Sequence, residues 1–261
     1  VRDRLVAGAR AVVVGVHSRA CHLRLECGAL LVVVPPAVPL SPNGVVMEPA
    51  SPAWRSGDTL ELGLDTVATA EVWEPRPRIS RLAPGVVADR LRATRAIALG
   101  ESTSAASLRP LWIEAGPARR LGEAAIARDP GSVARAAAGL AGLGPGLTPS
   151  GDDLLAGFAA AWTLLAAALG RDGAARRRVT AAIGTGARPG ASPLGRAWLA
   201  HAMRGELPEP MTRFAHALFA AEARDLAPAV RAVLTVGASS GTDWTVGFLL
   251  GGAAALEASW S

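Results

Sequence analysis

Gly142-Leu143-Gly144-Pro145-Gly146-Leu147-Thr148-Pro149-Ser150-Gly151-Asp152-Asp153 opens the apolar run Leu154 to Leu169, and a fainter copy of the opening recurs at Ser239-Ser240-Gly241-Thr242-Asp243. Aligned on Ser150 and Ser240, the two segments share S-G-x-D-x-x-x-G-F: Ser150, Gly151, Asp153, Gly157 and Phe158 against Ser240, Gly241, Asp243, Gly247 and Phe248. In each, a small polar turn leads into alanine-rich apolar sequence, the pattern of a buried helix with an exposed amino terminus. The run Leu154 to Leu169 is short for a membrane span and opens on two aspartates, so it reads as a core helix.

Outward from this pair, the sequence after Pro84 reads as helical. The expected helices are Gly85–Leu99, Ala118–Ala127, Ser132–Leu143, Asp152–Leu169, Ala174–Ile183, Leu194–Arg204, Pro210–Arg224, Ala227–Val236 and Asp243–Ala258. Alanine supplies the helix preference, while sparse Leu, Val, Trp and Phe supply core contacts. Before Glu74-Pro75-Arg76-Pro77-Arg78 the pattern is different. Short β-branched runs at Ala11–Val16, His22–Cys27, Leu30–Val34, Val45–Glu48 and Thr59–Glu74 read as strands, and the prolines at 35, 36, 39, 42, 49 and 52 exclude long helices. The fold class is therefore α+β. A β-rich region, antiparallel and barrel- or sandwich-like, spans 1–78, and a mostly helical region carrying the glycine-rich motifs spans 79–261.

Composition narrows the chemistry. Half of the residues are apolar, enough for a substantial core. The net charge of +5 comes entirely from arginine, because the chain contains no lysine, and Asn43 is its one asparagine. Without lysine there is neither a Schiff-base nor a P-loop lysine. The cluster Arg176-Arg177-Arg178 has no interleaved aromatics and reads as a solvated helix face, so a nucleic-acid partner is not expected. Cys21 and Cys27 fit neither a zinc spacing nor a secreted disulfide framework, and no cleavable hydrophobic start is present; a cytoplasmic location is the expectation.

The two openings hold most of the polar chemistry. Thr148 can cap the first helix with Pro149 at its first position, or Ser150 can cap it with Asp153 closing a capping box. Either way, Gly142, Gly144 and Gly146 precede a helix amino terminus, where glycine lets an anion approach backbone amides. Asp152 and Asp153 would repel a bare anion. They either share a hard cation such as Mg²⁺ with it or serve only as caps. The repeat suggests two helices whose amino ends converge on one pocket.

The run at 142–153 resembles the signature of the AllH-like family of bacterial proteins. Weaker pieces follow the same order: His17-Ser18, Ser41-Pro42-Asn43-Gly44, Ser192-Pro193 and Ser239-Ser240-Gly241-Thr242-Asp243. The chain departs from the family pattern at Ala238 and Ser239, where His and Thr are usual, and at Gly195, where a serine is common. The resemblance implies an oxamate carbamoyltransferase subunit in purine or allantoin nitrogen catabolism. That activity is phosphorolysis of oxalurate to oxamate and carbamoyl phosphate, carried out in an oligomer with AllF-like and AllG-like partners.

The candidate site joins both openings. Gly144, Gly146, Gly151 and Gly241 allow close approach to backbone; Thr148, Ser150, Ser239, Ser240 and Thr242 supply hydroxyls. Asp152, Asp153 and Asp243 orient them or hold the cation, and Asn43 is either a turn residue or a donor to substrate. Two other functions stay open: a non-catalytic assembly subunit in which the motifs lock helices together, and a stand-alone metal-dependent carboxylase or hydrolase. The histidines carry less. His17 and His22 match no ligand spacing, and His201 and His216 read as helix-packing residues. The seven tryptophans, scattered from Trp54 to Trp260 with Trp73, Trp112, Trp162, Trp198 and Trp244 between, read as core or interface anchors.

Overall fold

The computed structural model describes residues 9–47, 53–62, 72–101, 116–171 and 173–258. The chain forms two compact units, Val1–Pro75 and Arg76–Ser261, with the strands in the first and the helices in the second.

The first unit is built on β1 (Ala9–Val16), β2 (Cys21–Leu25), β3 (Leu30–Val34), β4 (Gly44–Val46) and β5 (Thr59–Leu62), in the sheet order β4-β3-β2-β1-β5. Alternation fixes the register: Ala11 faces Leu25, Val13 faces Leu23, Cys21 faces Val33 and Leu23 faces Leu31. These residues form one small apolar core. The expected barrel or sandwich is not formed. The sheet is open, with β4 and β5 as its edges, and β4 runs parallel to β3. The reason lies in the connection. Pro35 and Pro36 end β3 without a tight hairpin, and the loop carries the chain back so that Gly44 lands beside Val32. Asn43 pins that return: its Nδ2 donates to the Leu30 carbonyl at 3.1 Å, Ser41 Oγ donates to its Oδ1 at 3.1 Å, and its own carbonyl accepts from Val32 N at 2.9 Å. Of the expected strand region after Leu62, residues 63–71 lie outside the described residues, as does Glu48, and residues 72–74 form no strand.

The second unit contains, among the described residues, α1 (Pro84–Glu101), α2 (Pro117–Ile126), α3 (Pro130–Ala138), α4 (Ser150–Ala168), α5 (Gly173–Ala187), α6 (Pro193–Ala202), α7 (Glu209–Phe219), α8 (Leu226–Leu234) and α9 (Ser240–Glu257). In α4 every residue except Ser150 and Ala167 is buried, which is why its apolar character runs all round the helix. No described helix is long and apolar enough to cross a membrane.

The two repeat helices, α4 and α9, pack directly on each other. A Cβ added at Gly157 would overlap the Trp244 carbonyl, and one added at Gly247 would overlap the Leu154 carbonyl. The shared glycine of the repeat is thus the point at which each helix crosses the backbone of the other. The shared phenylalanine follows it into the core, where Phe248 lies 5.0 Å from the Trp244 ring and 5.0 Å from the Phe214 ring, centroid to centroid. Phe158 stacks along α4 on Trp162 at 6.4 Å. Trp112 and Trp260 lie outside the described residues.

Alanine in place of glycine normally favours an exposed helix by about 1 kcal/mol. At Gly157 or Gly247 the obstacle is backbone, so overpacking outweighs that gain. Gly157→Ala and Gly247→Ala are each expected to destabilise the chain by about 2 kcal/mol or more in urea unfolding. Gly122→Ala, where an added Cβ meets nothing within 4 Å, is expected to be neutral or stabilising.

Candidate functional site

The glycine-rich run forms an exposed loop between α3 and α4. Gly142, Gly144 and Gly146 have φ of 75°, 106° and 102°, the left-handed region that favours glycine. Neither expected capping arrangement is made. Pro149 occupies the N-cap position of α4 with no side-chain cap, and Ser239 at the N-cap of α9 makes none either. The hydroxyls are used across the pair instead. Thr148 Oγ1 and Ser240 Oγ lie 3.1 Å apart, within hydrogen-bond distance, which brings the two openings together.

The carboxyls follow the same crossed pattern. Asp153 of α4 accepts from the hydroxyls of Ser240 and Thr148, while Asp243 of α9 accepts from those of Ser150 and Ser239. Each serine that starts one repeat helix therefore serves the aspartate of the other. Asp153 is only 1 % exposed. Its Oδ2 and the Oδ2 of Asp243 are buried without a hydrogen-bond partner. Burial pushes the Asp153 carboxyl up to about 7; the two hydroxyls pull it down, and the charges of Asp243 and Asp152 push it further up. Asp243 is also raised by burial, against the opposing pull of Ser150 and Ser239.

Asp152 has a separate task. It is buried, and its Oδ1 accepts from Gly142 N at 2.8 Å while its Oδ2 accepts from Ser192 N at 2.8 Å. One carboxylate thus ties the glycine loop to the start of α6, where Ser192 caps the helix by accepting from Gly195 N at 2.9 Å. A Cβ at Gly195 would overlap the Asp152 carboxyl, so the departure from serine at this position fits the aspartate's placement. Gly151 and Gly241 are likewise packing positions, pressed against the carbonyls of Leu140 and Val233. Thr242 is half-buried in the first turn of α9, and Gly144 and Gly146 are exposed. Asn43 lies in the first unit, committed to the β3–β4 return.

Among the described residues no group of three or more His, Cys, Asp or Glu is arranged to hold a metal ion. The donor set explains this, since Asp152 gives both oxygens to backbone amides. A Mg²⁺ ion shared by all three aspartates would compete with those two amides for the Asp152 oxygens.

His201 and His216 differ from expectation. His201 joins an ion network rather than packing as an apolar residue: its Nδ1 lies 2.6 Å from Glu206 Oε2, with Arg204 Nη2 at 2.9 Å from both and Arg76 Nη2 at 2.5 Å from Glu206 Oε1. Burial depresses His201 despite the opposing pull of Glu206. His216 is exposed, not packed. In the first unit His17 and His22 lie with ring centroids 4.9 Å apart. Sequence reasoning did not find the Ser192 amide as a partner of Asp152. The Ser192-Pro193 piece and the departure at Gly195 were its visible signals.

Residues 140–252 match the family model described as oxamate carbamoyltransferase subunit AllH. The AllH match begins at Leu140, whose carbonyl abuts Gly151, and ends at Gly252 in α9. It therefore spans the glycine loop, both repeat helices, the Asp152 tie and the crossed Ser–Asp pairs, and none of the β unit. No curated protein and no solved structure matches the chain.

The raised Asp153 gives a stability signature with a definite sign. Its carboxyl binds a proton more tightly in the folded than in the unfolded chain, so its contribution is fully present below the unfolded value of 3.8 and is lost as pH rises to about 7. Between about pH 5 and pH 8 this group is expected to remove roughly 2–3 kcal/mol of stability. Asp153→Asn should flatten that decline in urea unfolding measured across the range.

Proposed function

We propose that this protein is a subunit or relative of a carbamoyl-transferring enzyme, binding small anionic substrates at its paired helix openings. The substrate class is oxalurate or oxamate together with carbamoyl phosphate or phosphate, and the setting is purine or allantoin nitrogen catabolism with partner subunits of AllF-like and AllG-like type. The observation that carries this reading is that the AllH match covers the segment in which two helix amino termini meet through Thr148 and Ser240.

Chemistry supports the choice of ligand. Two aligned helix dipoles place positive potential at one point, and exposed loop glycines let a carboxylate or phosphate reach backbone N–H groups. Asp152 acts as a positioning residue, holding the loop by Gly142 N. The hydroxyls of Thr148, Ser150, Ser239 and Ser240 lie around the openings with Asp153 and Asp243. In this reading Asp153 and Asp243, rather than all three aspartates, are the carboxyls that face the substrate.

A second reading has its own observation. The shared glycines and the unpartnered carboxyl oxygens are buried, as they would be in a motif that locks two helices in an assembly subunit while another chain performs the chemistry. The two separate by experiment. For the binding reading, oxamate or phosphate added to the isolated chain should give saturable binding by calorimetry. Asp152→Ala should weaken it at least about tenfold, since loss of a buried, doubly bonded carboxylate frees the loop. An isolated chain that binds neither anion, yet co-purifies with partner subunits and is required for their activity, would establish the assembly reading instead.

A further inference from the structure

At the paired openings Asp153 and Asp243 present a problem that the rest of the site does not solve. Each sits near the positive end of a helix, yet each leaves one oxygen buried without a donor. Among the described residues no cation balances them. The loop 142–149 contains no ionisable residue, α4 contributes Asp152, and α9 contributes Asp243. Arginines on neighbouring elements are engaged elsewhere: Arg196 with the carbonyls of Arg188 and Ala191, Arg231 with Glu101, and Arg90 with the carbonyls of Leu218 and Ala220. The charges that act on Asp153 are those of Asp243 and Asp152, both negative.

An anion seated on the loop amides would add a further negative charge beside this pair. Every hydroxyl identified there already serves a carboxyl or another hydroxyl. The cheapest response is to remove one charge by protonating a carboxyl, which also turns an orphaned acceptor into an O–H donor. Asp153 is the member that takes it, being the more deeply buried and facing two like charges.

Building on the anion-site reading, we propose that the paired openings take up a small oxyanion together with one proton, which moves from solvent to the Asp153 carboxyl, so that anion binding is regulated by pH. The balance is simple: one anion and one H⁺ enter, no covalent bond to the ligand forms, and Asp153 changes from carboxylate to acid. This is consistent with the raised Asp153, which is partly ionised near neutrality and so has a proton to gain on binding. Affinity then falls roughly tenfold per pH unit once Asp153 is mostly ionised in the free protein.

The test is calorimetric titration of the full chain with oxamate, and in parallel with sulfate, at about pH 8 in buffers of differing ionisation enthalpy. Neither anion titrates in this range, so any proton exchanged belongs to the protein. The expected result is uptake of about one proton per anion bound by the wild-type chain, and no uptake in whatever binding Asp153→Asn retains. Binding without proton uptake, or with proton release as for a ligand whose N–H groups satisfy an ionised Asp153, overturns the proposal and leaves the anion site standing. Failure of both anions to bind overturns the site itself. Should Asp153→Asn fail to fold, the wild-type proton count alone decides.

Discussion

The close crossing of α4 and α9 is the constraint on which the helical unit depends. Gly157 and Gly247 let each helix lie against a main-chain carbonyl of the other. At that separation no side chain fits between the backbones, so the two helices are fixed in register as well as in distance. The first turns of both helices follow from this register. Ser150 comes within reach of Asp243, and Ser240 within reach of Asp153, because the repeat places serine, aspartate and glycine at the same offsets on both helices. What looks like a polar site is therefore set by a backbone contact about one turn deeper in the core.

This arrangement makes buried carboxyls tolerable without making them comfortable. Crossed hydroxyl donors satisfy one side of each aspartate, the helix dipoles favour negative charge nearby, and burial acts in the opposite direction. Burial prevails at Asp153. A carboxyl held near the middle of the working pH range costs stability at neutral pH, and such costs concentrate at functional sites more often than in plain packing motifs. Asp152, one residue earlier, avoids the conflict by taking two backbone donors. Neighbouring helical positions lie about 100° apart, which is enough to send adjacent aspartates to different tasks.

Much of this was legible in the sequence. The nine helices among the described residues and the order of strands before helices follow from hydrophobic patterning, and the echo at Ser240 marked the partner of the Ser150 opening. The repeat also held a distinction that was readable but missed. Asp153 has its counterpart in Asp243, whereas the counterpart of Asp152 is Thr242, and it is the unshared aspartate that leaves the pair to hold the loop. Capping was misread because local spacing cannot show that a serine's hydroxyl is claimed by a residue ninety positions away. The open sheet was hidden for a related reason. Short buried strands have the same alternation in a barrel as in an open sheet, and the parallel pairing of β3 with β4 follows a proline-rich return that the Asn43 side chain helps to pin.

The central claim is that the two openings form one physical unit through crossed Ser–Asp hydrogen bonds. A double-mutant cycle on Ser240→Ala and Asp153→Ala, read by equilibrium unfolding at fixed pH, measures that link most directly. A coupled pair is expected to show an interaction free energy of about 1 kcal/mol or more, because either single change already breaks the bond. Additivity within about 0.5 kcal/mol would mean that the two helices merely lie side by side, and would contradict the account.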